Sequence, residues 1–327
     1  MKLIRNIIMA VVFASVLIFA GCTDSSDQRT SGYSLDSFKG GSQGLVFSFD
    51  EGMPPNTIKD QGITPFNIRI IAENKGEYDI PENSAHARIT GINPADFNLQ
   101  ETAKTFPPIF GFSKQGTSER PGGVQNVMFS NVQYVGTLLS GSYNFDLNVN
   151  VCYPYQTRAV VEMCISESTI SGLNPDFQNC EIEGNKRFAN SGAPVRIENV
   201  RQFVGGQNRI QIQFDIVHNP RRSSGTLYKP GSIDNQCNIN GQSPSDAFFE
   251  RNHVKYTVNT GIPGLVCGNS QDNSETVVLS NDRTTVVCFQ DTAGQGEAHN
   301  KLASIILEYD YLDRISKRMT VEHIRTN

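Results

Sequence analysis

Apolar and polar residues alternate with a period of two along most of this chain, the mark of strands with one buried face. Phe66-Asn67-Ile68-Arg69-Ile70 alternates, as do the segments 143–151 and 210–216. Shorter runs predict further strands at Leu45–Phe49, Ala87–Thr90, Asn126–Tyr134, Ala159–Ile165, Val195–Val200, Val254–Val258, Thr276–Leu279, Thr284–Phe289 and Leu302–Tyr311. Turn residues separate them, as at Asn74-Lys75-Gly76, Pro121-Gly122-Gly123, Ser140-Gly141 and Gly205-Gly206. Beyond the front end, no window of 12 residues holds an apolar period of 3.6. Many short strands at this spacing predict an all-β chain of antiparallel sandwiches rather than a parallel α/β sheet.

The pattern also echoes itself. Cys152-Tyr153-Pro154-Tyr155-Gln156-Thr157-Arg158 leads to Met163 and Ile165, and Tyr309-Asp310-Tyr311-Leu312-Asp313-Arg314 leads to Met319 and Val321. Tyr-x-Tyr-x-x-Arg and both apolar positions coincide at an offset of 156 residues. The echo predicts two tandem sandwiches, at 45–190 and 191–327, each closing on a hairpin, at 142–166 and 302–322. The boundary falls in the polar stretch Asn185–Gly192.

The front end differs from the rest. Lys2 and Arg5 precede an unbroken apolar or small run, Ile7 to Ala20, which ends in Phe19-Ala20-Gly21-Cys22 before the chain turns polar. Residues 1–22 read as an export signal, and small residues before a Cys resemble a lipobox, in which Cys22 takes the lipid. The alternatives are an uncleaved N-terminal anchor helix and free secretion. Residues 23–44, rich in Ser, Gly, Asp and Gln, read as a flexible tether to the extracytoplasmic face of the membrane.

Composition narrows the function. The chain of 327 residues carries a net charge of −5, and its basic runs are no longer than pairs such as Arg221-Arg222 and Lys317-Arg318. Displacing counterions from phosphates needs clustered cations, so nucleic-acid binding is not expected. Seven cysteines are present, and if Cys22 is lipidated an even six remain. Spacing favours Cys164 with Cys180 and Cys267 with Cys288, which leaves Cys152 and Cys237; fifteen pairings are possible in principle. A metal site would want C-x₂₋₄-C or neighbouring His, and that spacing is absent.

Chemistry-bearing motifs are missing too. His86, His218, His253, His299 and His323 are scattered, with no H-E-x-x-H or H-x-H. Gly40-Gly41-Ser42-Gln43-Gly44 matches G-x-S-x-G but lacks the strand before it and the helix after it that a nucleophile elbow needs. No phosphate-binding glycine loop occurs. The expectation is no catalytic residue, no metal and no cofactor. Two features read as interaction surfaces: Phe106, Phe110 and Phe112 in the loop 97–120, and the tyrosine pairs Tyr153/Tyr155 and Tyr309/Tyr311, a platform for a glycan or peptide.

Glu73-Asn74-Lys75-Gly76, following Met53-Pro54-Pro55-Asn56, resembles the early "apolar strand, Asn-x-Gly" turn of CARDB-type and related immunoglobulin-like domains of prokaryotic surface proteins. The Cys-Tyr-x-Tyr-x-Thr run before a Cys-Ile strand is similar to archaeal membrane-anchored surface proteins. The resemblance covers about a third of the chain, and the second half has Asn219-Pro220-Arg221 at the corresponding turn. It implies two tandem immunoglobulin-like domains and a non-catalytic lipoprotein serving adhesion, envelope structure or assembly with other surface proteins or glycans. A solute- or carbohydrate-binding lipoprotein and an extracellular hydrolase on a β-scaffold are the alternatives.

Overall fold

The computed structural model describes residues 34–115, 117–169, 180–219, 224–239, 248–270 and 272–324. The first half contains β1 (Leu45–Phe49), β2 (Thr57–Lys59), β3 (Phe66–Asn74), β4 (His86–Thr90), β5 (Ala103–Thr105), β6 (Ser113–Gln115), β7 (Ser118–Arg120), β8 (Val124–Val132) and β9 (Ser142–Ile165). The second contains β10 (Gly184–Asn185), β11 (Phe188–Asn190), β12 (Val195–Gly206), β13 (Arg209–His218), β14 (Thr226–Tyr228), β15 (His253–Asn259), β16 (Leu265–Cys267), β17 (Ser274–Val278), β18 (Arg283–Asp291) and β19 (His299–Glu322). The alternation predicted all-β, antiparallel architecture, and the fold is of that class.

A large sheet in the order β17-β15-β19-β9-β4-β5 carries the whole molecule. Two smaller sheets are β1-β3-β8 and β10-β12-β13-β18-β16. Phe47 of β1 packs 5.7 Å from Tyr153 of β9, ring to ring, and closes the first sandwich. Gln202 of β12 exchanges hydrogen bonds with the Cys164 backbone of β9, at 3.1 and 2.6 Å, and helps close the second. The halves repeat one plan: β5-β4-β9 with β1-β3-β8 matches β17-β15-β19 with β12-β13-β18.

The echo at offset 156 therefore marks a duplication, but its copies are not hairpins. Each is one strand of 24 residues, and β9 and β19 pair along their whole length. Such a strand spans about 80 Å. Each starts in its own half and finishes under the other. The start of β9 pairs with β4 and its end with β11; the start of β19 pairs with β15 and its end with β2. A proline inside a paired strand ordinarily removes a ladder bond, and Pro154 lies in the middle of β9. Here the Arg158 carbonyl and the Glu162 N–H face β11, so the even-numbered residues of β9 point away from β19. The N–H that Pro154 lacks would fall in the gap between β4 and β11, and no ladder bond is lost.

Residue 190 is consequently not a border between independent cores. One apolar cluster runs through both halves, from Leu45 and Phe47 to Val321. The tether is also shorter than its composition suggested. Glu77 accepts the N–H groups of Lys39, Gly40 and Gly192 at 2.9, 2.9 and 2.5 Å, which pins the segment before β1 to the waist. Gly76 permits this approach, because a Cβ there would meet the Tyr155 hydroxyl at 1.9 Å.

Candidate binding groove

The structure brings the six body cysteines together as Cys152–Cys237, Cys164–Cys180 and Cys267–Cys288, with Cα atoms 5.5, 5.6 and 4.0 Å apart. The first ties the loop 229–239 to β9 at the waist, and the third joins β16 to β18. Cys22 and residues 23–33 lie outside the described residues.

The tyrosine platform is overturned. Register places Tyr153 opposite Tyr311 and Tyr155 opposite Tyr309, so the duplicated motif meets itself about a pseudo-twofold axis. The four rings form a closed set, with neighbouring centroids 5.7 to 6.3 Å apart. All are 1–2% exposed and walled in by both smaller sheets, so the rings are core rather than an exposed platform. The phenylalanine surface shrinks similarly. Phe106 and Phe112 are buried, while Phe110 alone is exposed, with the Arg120 guanidinium 5.1 Å above its ring. The loop closes one end of the first sandwich: Ile109 bridges to Ile80, and Phe106 lies 6.3 Å from Phe47.

A cavity of about 300 Å³ opens at the waist, lined by His86, Asp234 and Asp310 beside the Cys152–Cys237 bond. Burial pushes the Asp310 carboxyl up to about 6, against the pull of the Ile233, Ser232 and Gly231 backbone groups. Asp234 is lowered: burial pushes it up, but the Asn238 and Gln236 N–H groups and the Asn238 side chain outweigh that. Both carboxylates thus hold the loop that the disulfide closes. They serve the architecture, and among the described residues no group of three His, Cys, Asp or Glu side chains is placed to hold a metal.

The larger cavity, about 680 Å³, lies in the second half where β14, the start of β15 and the end of β17 converge. Phe248 and Phe249, each 70% exposed, form its outer rim, with ring centroids 6.1 Å apart and planes nearly perpendicular. Val278, the last residue of β17, adds an exposed apolar wall. Large exposed apolar side chains beside one cavity are uncommon on a soluble surface and mark a contact site.

The groove floor is polar. His218, at the end of β13, is buried; its Nε2 is 3.1 Å from the Tyr311 hydroxyl, and its ring stands edge-on to that tyrosine. Its Nδ1 has no hydrogen-bond partner among the described residues, the Asp282 carboxylate standing off at 3.5 Å. Burial lowers the His218 pKa and Asp282 opposes it, so the imidazole is neutral at pH 7. Arg251 lies 6.0 Å from the Tyr228 ring and has no ion pair among the described residues. Its carbonyl accepts the Nδ1–H of His253 at 2.8 Å. The groove thus offers two aromatic faces, the Arg251 guanidinium, the Asp282 carboxylate and a buried imidazole nitrogen. Alternation reasoning passes over Phe248, Phe249 and Arg251, which sit outside any period-two run, and His218, a polar residue that takes the next buried position after Ile216. The signal available was the adjacent pair Phe248-Phe249 within a polar stretch.

No family model matches the sequence. No curated protein matches it either. Among solved structures, the chain is similar to the collagen-binding domain of the surface protein RspB of Erysipelothrix rhusiopathiae. That pair shares 7% identity over 88% of this chain and 98% of that one, with a TM-score of 0.12. It is similar also to the serine-rich repeat adhesion glycoprotein Srr1 of Streptococcus agalactiae, at 9% identity over 90% and 98%, with a TM-score of 0.15. Likenesses this slight assign neither a fold family nor a ligand.

Proposed function

We propose that the chain is a non-catalytic binding protein held by a lipid on Cys22 to the extracytoplasmic face of a membrane, presenting the Phe248–Asp282 groove to a surface partner. The observation that carries the reading is cysteine parity. Six of seven cysteines close as disulfides in the body, and the seventh is Cys22, directly after the apolar export run. Disulfides persist in oxidising compartments, and a lone Cys beside a signal segment has lipid attachment as its chemistry. The rigid sheet supports the groove's use as a contact site, since β9 and β19 fix its floor through Tyr311. Feeding cells an alkyne-tagged fatty acid tests the anchor, with the wild type and Cys22→Ser compared. The wild type is expected to carry the tag and to run shorter than the variant, which keeps its apolar front end and takes up no tag. A wild type that carries no tag, or a variant labelled as strongly, would rule out lipid anchoring at Cys22.

A further inference from the structure

The edge strand beside the groove has an unpaired outer side, and its phase can be read from the ladder. Val258 N–H bonds to the Asn273 carbonyl, and Leu279 N–H to the Asn252 carbonyl. With Tyr256 opposite Glu275, the odd-numbered residues of this segment therefore face β15. Ser274, Thr276 and Val278 turn their N–H and C=O groups outward. Among the described residues, the one bond to that side is from Ser270 Oγ to the Ser274 carbonyl, at 3.4 Å. Among the described residues, nothing bonds to the outward N–H and C=O groups of Thr276 and Val278.

The duplicated counterpart, β5, is the opposite case. Ile89 N–H bonds to the Thr102 carbonyl and Phe106 N–H to the Ala85 carbonyl, so the even positions face β4. The outward positions are Ala103, Thr105 and then Pro107, which has no N–H to offer and is followed by Pro108. Lys104 lies over the Phe129 ring on the same strand. Proline and lysine are the usual guards of a sheet edge. The strand β17, Ser-Glu-Thr-Val-Val, carries neither.

We propose that an extended peptide segment of a partner protein adds to β17 as an antiparallel or parallel strand through Thr276 and Val278, and runs on into the groove. The proposal rests on reading that groove as a binding site. Main-chain bonds to the edge supply affinity, and the cavity at its end reads the side chains. Charge complementarity points to the peptide's character: Arg251, which has no ion pair among the described residues, lines the groove with Phe248, Phe249 and Val278, while the groove's carboxylate, Asp282, stands 3.5 Å from His218 Nδ1. The occupant carries a carboxylate for Arg251 and an apolar side chain for the phenylalanine pair.

The test uses the full chain in detergent and a phage-displayed library of random dodecapeptides, followed by anisotropy with synthetic copies of the enriched sequences. Enriched peptides are expected to pair an acidic residue with an apolar one. Thr276→Pro, which leaves the β15 ladder intact, should weaken binding about tenfold, as loss of one or two main-chain hydrogen bonds would. Phe248→Ala with Phe249→Ala should weaken it similarly, and Phe110→Ala should not change it. Methylating alternate backbone nitrogens of the peptide should abolish binding, a readout independent of how any variant folds. The proposal is overturned if no peptide is enriched, or if the methylated peptide binds as well as the parent. It also fails if Thr276→Pro, with an unchanged melting temperature, binds normally, or instead dissociates a homodimer, which would make a second copy the occupant. A wild-type chain that takes up no fatty acid would sink the anchoring reading and leave this site standing.

Discussion

The two halves share one strand plan and are held together by different chemistry. Between residues 45 and 151 there is no cysteine. The first sandwich relies on aromatic packing, with Phe47, Phe66, Phe97, Phe106, Phe129 and Phe145 all buried. At its far end Asp60 accepts hydrogen bonds from His323 Nδ1, Ile324 N–H and Leu138 N–H. The second sandwich fills its core mainly with branched aliphatics such as Ile197, Ile210, Ile212, Ile216 and Val254, and adds the Cys164–Cys180 and Cys267–Cys288 staples. Its outer edge is open where the other is guarded. The difference teaches that topology was duplicated whole, whereas stapling and edge protection are local properties that a few residues set. An exposed edge and groove are best carried by the half that covalent bonds hold rigid.

The comparison breaks most severely at the waist. Tyr309→Ala removes a buried ring touching two others and should cost about 3–5 kcal/mol. Because each long strand completes the opposite sandwich, urea unfolding followed by circular dichroism should still show one transition. Two separate transitions would mean that the halves fold independently. Next come the staples. Replacing Cys152 and Cys237 by Ala should cost about 4 kcal/mol, and replacing Cys267 and Cys288 about 3, from the loops they close. Both are read as a drop in urea midpoint absent from any substitution among the first half's exposed residues.

Acid and base act at different places. Asp60 is held down at about 2: burial raises it, but hydrogen bonds from His323, Ile324 and Leu138 together outweigh that. Its folded value lies below the unfolded one, so the stability it contributes is complete above about pH 4 and falls away towards pH 2. Asp310, raised to about 6 by burial, works with the opposite sign. Its contribution is complete below about pH 4 and disappears as pH rises through 6. Asp310→Asn should flatten the stability profile between pH 4 and 6 by about 1–2 kcal/mol, and Asp60→Asn should flatten only the region below pH 4. Thermal melts across a pH series separate the two. The smallest effect is on the edge. Thr276→Pro should stay within about 0.5 kcal/mol of the wild type, since its N–H faces outward, whereas Val277→Pro loses a bond to β15 and should cost at least about 1.

Strand positions were the most legible part of the sequence. The strand β3, Phe66–Asn74, alternates buried and partly buried residues throughout, as its apolar pattern requires. The tyrosines were misread because Tyr-x-Tyr looks the same on a surface as in a core. Only the register, which sets Tyr153 against Tyr311, decides that both faces are covered. The hairpins expected from the echo, at 142–166 and 302–322, are instead two continuous strands for a related reason: whether a proline such as Pro154 ends a strand depends on whether its nitrogen faces a neighbour. The groove was illegible because Phe248, Arg251, His218 and Asp282 come from three separate segments with no shared period.

The sequence by itself determined that this chain is built of antiparallel strands and carries a duplicated Tyr-x-Tyr unit, because side-chain alternation is a local property of the pleated backbone. Tertiary structure alone decided that the duplicated strands cross between sandwiches and that β5 and β17 lie at the two outer edges of the large sheet. Those outcomes depend on which strand lies beside which, and on the direction in which each backbone N–H points, neither of which is written in the order of residues along one strand.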